Sequence, residues 1–143
     1  MLMQKGNYMT QYKKFLQNRL YRDKRVAMLE ATGSRFVMQD LSNPAYDAAL
    51  KKKLQEECEE IINTSTKQEL IEEIADVFEV IDALCALRSI TNAEIIKVQE
   101  KKREEAGGFY ERKFVQITEH PIGSAAEARY LKDPKKHPLI HEQ

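Results

Sequence analysis

Between residues 54 and 82 ten acids, Glu56, Glu57, Glu59, Glu60, Glu69, Glu72, Glu73, Asp76, Glu79 and Asp82, stand against one base, Lys67. Apolar residues recur through the same stretch every three or four positions, the period of an amphipathic helix. Carboxylates this dense repel one another unless they face water or share a cation. The acids that fall on the buried side of their helices therefore limit what the chain can fold into and what it can hold.

Helix signals surround this stretch. Tyr8, Tyr12, Phe15, Leu16 and Leu20 recur at helical spacing and predict a first amphipathic segment. Asp23 can cap a short second helix through Val26, Ala27, Met28 and Leu29, ending at Gly33. Arg35 to Leu41 reads as irregular. Asn43-Pro44 pairs a capping residue with proline at the first helical position and opens a third helix to about Asn63. Thr66-Lys67-Gln68-Glu69 is a capping box for a fourth helix to about Arg88, and Thr91-Asn92-Ala93-Glu94 opens a fifth that Gly107-Gly108 ends. Phe109 to Ile117 is expected to be extended. The expectation is an all-α fold of about five helices, one domain over 1–117, with an irregular C-terminal arm over 118–143 that carries Pro121, Pro134 and Pro138.

A helical wheel separates the acids. With Leu50 at zero, Tyr46, Leu54, Cys58 and Ile61 define a stripe from roughly −40° to +80°. Glu57 falls inside it at roughly −20°, with Glu60 and Glu56 flanking near −80° and −120°. With Leu70 at zero in the next helix, Glu73 falls near −60° between Val77 and Val80, and Asp76 near −120° beside Leu87. Glu59, Glu72 and Glu79 point outward to water, and Asp82 lies at the far edge of its stripe. Cys58 and the surroundings of Phe78 read as plain core. If the two helices pair antiparallel, Glu57, Glu60, Glu73 and Asp76 can converge with Glu56 at the rim. Two bare unit charges about 5 Å apart repel by about 3 kcal/mol at an effective dielectric near 20, so the convergence calls for a cation. An all-oxygen set selects Mg²⁺, Mn²⁺ or Ca²⁺ over zinc.

Other classes lose their footing. The 23 Lys and Arg offset 23 Asp and Glu, and Lys51-Lys52-Lys53 points largely away from the stripe, so it reads as a solvated face and not a nucleic-acid patch. No P-loop is present, Arg103-Glu104-Glu105-Ala106-Gly107 lacks the upstream residues of a Nudix box, and no Glu-x-x-His pair exists for a di-iron bundle. His120, His137 and His141 lie near prolines and are expected to be exposed. Cys58 and Cys85 have no metal-type spacing and read as reduced thiols. With no apolar run of about 18 residues and no signal-peptide core, the expected location is the cytoplasm, without membrane partners.

Glu56-Glu57-x-x-Glu60, twelve residues, then Glu73-x-x-Asp76 resembles the EExxE…ExxD signature of the MazG-like all-α nucleoside triphosphate pyrophosphohydrolases. Leu20-Tyr21-Arg22-Asp23-Lys24 before it, and Lys101-Lys102-Arg103-Glu104-Glu105-Ala106-Gly107-Gly108-Phe109 after it, look like the phosphoribosyl-ATP-pyrophosphohydrolase-like branch. The likeness covers roughly residues 18–115; Val26-Ala27 stands where that branch often has a proline, and the tail after Gln116 has no counterpart. The resemblance implies a MazG-like helical bundle assembled as a homo-dimer or homo-tetramer. It implies Mg²⁺, with Mn²⁺ as an alternative, on Glu56, Glu57, Glu60, Glu73 and Asp76, and cleavage of a nucleoside triphosphate to monophosphate and pyrophosphate. Glu57, the most buried in pattern, is the expected general base. Arg22, Lys24, Lys101 and Arg103 are the expected phosphate-binding residues. Nucleotide-pool house-cleaning is the expected role. Hydrolysis of phosphoribosyl-ATP in histidine biosynthesis stands as an alternative, and so does a non-catalytic helical interaction protein of the same fold.

Overall fold

The computed structural model describes residues 10–141 and is all-helical among them: α1 (Asp23–Glu30), α2 (Asn43–Asn63), α3 (Lys67–Arg88), α4 (Asn92–Ala106) and α5 (Ala125–Leu131). The chain divides into two compact units between Val98 and Gln99, a division that α4 crosses. The first unit is built on α2 and α3, which pack against each other. Ser42 is the N-cap of α2, so Asn43 and Pro44 both lie inside the helix, one position further in than the sequence suggests. The α3 capping box is complete, with the Glu69 N–H donating to Thr66 Oγ1 at 3.1 Å and the Thr66 N–H to Glu69 Oε2 at 3.0 Å. Ser89, left-handed at φ 55°, ends α3, and Thr91 and Glu94 form the reciprocal box that opens α4.

The α2–α3 turn spans only Thr64, Ser65 and Thr66, which makes the pair antiparallel. Contacts at both ends agree: Arg88 at the end of α3 meets Asp47 at the start of α2, while Glu60 and Glu73 meet beside the turn. The stripes of the two helical wheels face each other. Leu50, Val80 and Cys85 are buried between them, with Tyr46, Leu54, Ile61, Val77, Ile81, Leu84 and Leu87 half-buried around them. Asp47 is buried too. Arg88 Nε and Nη2 donate to its Oδ1 at 2.9 and 2.8 Å and Lys51 Nζ reaches Oδ2 at 2.6 Å. The hydrogen bonds from Lys51 and then Arg88 hold this carboxyl below its ordinary pKa.

Several expectations need correcting. The first amphipathic segment is not helical over its described part, Thr10 to Arg22, and Tyr8 lies outside the described residues. Its apolar period has nothing to pack on: Phe15 and Leu16 are exposed, Asn18 has a positive φ of 45°, and Tyr12 instead takes the Arg35 guanidinium at 4.0 Å. A short helix without a packed face does not sustain itself in water. Asp23 sits in the first turn of α1 and does not cap it. Cys58 is exposed, and Phe78 is 63% exposed, because both lie on the edge of the hairpin that neither helix covers. In the second unit the arm is not wholly irregular. Ser124 Oγ accepts from the Glu127 N–H at 3.2 Å and starts α5. Tyr130 of that helix packs edge-on to His120 and stacks on His137, ring centroids 4.3 and 4.0 Å apart, so these two histidines are half-buried and only His141 is exposed as expected. Among the described residues no helix is long and apolar enough to cross a membrane.

Leu50, 4% exposed, sits at the centre of the hairpin contact. Leu50→Ala should lower unfolding free energy by about 3 kcal/mol. Val37→Ala, at a fully exposed position, should stay within about 0.5 kcal/mol of the parent. Urea unfolding followed by circular dichroism checks both; an unchanged midpoint for Leu50→Ala would contradict this packing.

Candidate functional site

The acids of the two helices meet where the turn brings the end of α2 over the start of α3. Glu57 from the seventh helical position after Leu50, Glu60 one turn later and Glu73 from α3 each bring one carboxylate oxygen within 4.8 Å of the others. Two of the three lie on the buried side: Glu57 is 3% exposed and Glu73 half-buried, while Glu60 closes the group from the solvent side. Glu73 Oε2 is buried with no hydrogen-bond partner. An unpartnered buried carboxylate oxygen is costly and calls for a proton or a cation. Burial first, then the charge and contact of Glu60, then Asp76 and Glu57, raise the Glu73 pKa above the ordinary carboxylate value.

Basic residues meet two of the remaining needs. Lys53, one helical turn before Glu57, pairs with Glu57 Oε1 and lies 3.7 Å from Glu56 Oε2. Burial of the Lys53 ammonium works against its charge, but the hydrogen bond to Glu57 and the charges of Glu57, Glu56 and Glu60 outweigh it, so its pKa rises. The expectation of a solvated Lys51-Lys52-Lys53 face therefore holds for Lys51 and Lys52, both exposed although Lys51 also braces Asp47, and fails for Lys53, which is half-buried on Glu57. Asp76 does not join the trio of oxygens. It is paired with Arg22, whose guanidinium also lies 3.9 Å from Glu79. Arg22 thus spans from the N-cap of α1 to α3 and ties the expected phosphate-binding element to an expected metal ligand.

Of the expected site residues, Glu57, Glu60 and Glu73 come together, Glu56 stands at the rim on Lys53, and Asp76 is engaged by Arg22. Lys24 is exposed on α1. In the second unit, Lys101 and Arg103 are exposed on α4, Lys101 lying 3.7 Å from Glu105 one turn on. Glu59, Glu72, Glu79 and Asp82 face water, as the outward wheel positions of the first three require. The chain matches no family model, no curated protein and no solved structure. The geometry therefore speaks for itself.

Three oxygens of separate carboxylates form the kind of hard, anionic donor set that suits Mg²⁺ or Mn²⁺, and the unpartnered Glu73 oxygen is the structural mark that fits such an ion. Without the ion, the raised Glu73 pKa makes folding stability depend on pH. The folded state holds a proton that the unfolded state has released, so stability falls as pH rises from the ordinary carboxylate range, near about 4.3, through the raised value. Glu73→Gln should flatten this decline and raise the melting temperature at neutral pH in EDTA. Melts across the acidic to neutral range check it; a variant less stable than the parent at neutral pH contradicts the assignment.

Proposed function

We propose that this chain is a Mg²⁺-dependent nucleoside triphosphate pyrophosphohydrolase of the MazG-like kind, releasing a nucleoside monophosphate and pyrophosphate. The observation that carries the reading is the convergence of Glu57, Glu60 and Glu73 from two consecutive helices, in the order and spacing of the EExxE…ExxD signature. Glu57, Glu60 and Glu73 would hold the ion, with Glu56 and Asp76 within the same acidic edge. Bound there, Mg²⁺ supplies counter-charge for phosphate oxygens and makes a bound water more acidic.

The chain's own residues supply the rest. Glu57 is the best shielded of the acids, and its carboxylate would take the proton of the attacking water. Arg22 and Lys24 stand at the start of α1, and Arg22 is already oriented toward the acidic edge through Asp76. Its planar guanidinium suits a bidentate grip on phosphate oxygens. Assembly with a second copy belongs to the same reading. Among the described residues only Leu50, Val80 and Cys85 are buried apolar side chains, while Ile71, Phe78 and Ile62 stay exposed along the hairpin. A core this thin is far below what a stable domain buries, and a second hairpin on that face completes it.

A second reading, a helical interaction protein without catalysis, draws support from the pairing of Glu57 with Lys53 and Asp76 with Arg22, which neutralises two of the five acids without a metal. Pyrophosphate release from a panel of common and modified nucleoside triphosphates separates the two. Hydrolysis that requires Mg²⁺ or Mn²⁺ is expected, and Glu57→Gln should lower kcat by about a thousandfold while leaving the circular dichroism spectrum intact. Near-normal turnover in that variant removes Glu57 from the role of base; no turnover of any nucleotide favours the interaction protein.

A further inference from the structure

The acidic site has a cation of the chain's own, and it comes from the same helix as two of the acids. Lys53 lies one turn before Glu57, pairs with that carboxylate and stands 3.7 Å from Glu56. Its side chain is 25% exposed against 4% for Glu57, so the contact is shielded from most of the solvent. Among the described residues no other base pairs with Glu57, Glu60 or Glu73. A divalent ion on Glu57 and the Lys53 ammonium on the same carboxylate then compete for one charge. The ammonium sits on a flexible four-carbon stem at the half-exposed edge of α2, so it can swing into water without moving the backbone.

We propose that Lys53 is a built-in counter-ion that holds the acidic site together before the metal arrives and is displaced when the metal binds. The inference rests on the metal-site reading above and adds a positioning residue to it. Lys53 keeps Glu57 in place on its helix while the site is empty, and its release sets how tightly the site takes the ion. The arrangement makes metal affinity weaker than the three carboxylates alone would give, in exchange for a folded metal-free state.

The test compares the parent, Lys53→Met and Lys53→Arg without nucleotide. Calorimetric titration with Mn²⁺ should give a Kd about fivefold tighter for Lys53→Met, the effect of no longer having to break one ion pair at about 4 Å in a water-like dielectric. Lys53→Arg should stay near the parent. In EDTA, Lys53→Met should melt below the parent. Acylation of the parent with an amine-reactive reagent, read by mass spectrometry, should rise at Lys53 on adding Mn²⁺ while the exposed Lys52 of the same helix stays constant. Should Lys53→Met fail to fold, this labelling decides alone. Equal or weaker Mn²⁺ affinity in Lys53→Met, or Lys53 labelling unchanged at saturating Mn²⁺, overturns the displacement while leaving the metal site standing. Absence of Mn²⁺ binding by the folded parent removes the site itself, and the displacement with it.

Discussion

Like charge gathered across the α2–α3 hairpin is the interaction on which the rest of this structure depends. Antiparallel pairing is dictated by a three-residue turn and by facing apolar stripes, and it brings the acidic edges of both helices to the same end. Folding thus creates a repulsion that neither helix has alone. Lys53 on Glu57 and Arg22 on Asp76 relieve part of it, and the burial of a Glu73 oxygen without a partner shows what they leave unrelieved. At the other end of the hairpin the same kind of problem is solved completely: Asp47 is buried with Arg88 and Lys51 both on it. One end is a closed ion-pair network that locks the register, and the other is an open one.

The contrast has a physical meaning for function. A fully satisfied network has no remaining valence for a ligand, whereas a group of carboxylates short of counter-charge has affinity for any hard cation that fits. Arg22, at the N-cap of α1, reaches the acidic edge through Asp76, with Lys24 two residues further on in the same unit. Acid and base side by side, with the acid in excess on the inner side, suit a ligand that carries both a divalent ion and phosphate oxygens. That would be the chemistry of the nucleotide and metal proposed above.

Much of this arrangement was legible in the residues. The bounds of α2 and α3, the capping boxes at Thr66 and Thr91, and the inward turn of Glu57 and Glu73 follow from short-range rules that depend on neighbours three and four positions away. Two of the basic residues were equally within reach. Lys53 falls at roughly −60° on the same wheel, between Glu57 and Glu60, and four residues before Glu57. Arg88 lies at roughly 0°, in the middle of its stripe, opposite Asp47 at roughly +60° on the other helix. Treating Lys51-Lys52-Lys53 as a block hid the fact that three consecutive helical residues face three directions. What periodicity could not supply was partnership. The segment from Tyr12 to Leu20 carries helical spacing but no surface to pack on, while Cys58 and Phe78 have core-like character on an edge that none of the described residues covers. The helix at Ala125–Leu131 was within reach too, since Ser124 and Glu127 stand at capping spacing, whereas the packing of Tyr130 on His120 and His137 is a matter of tertiary contact.

The central claim is positional, that one divalent ion belongs among Glu57, Glu60 and Glu73. Its most direct measurement is an anomalous difference map from crystals of the protein grown with Mn²⁺. A peak coordinated by oxygens of these three side chains is the result expected. A map with no peak there at saturating Mn²⁺, or with the Lys53 ammonium still seated on Glu57 and the ion bound elsewhere, contradicts the account.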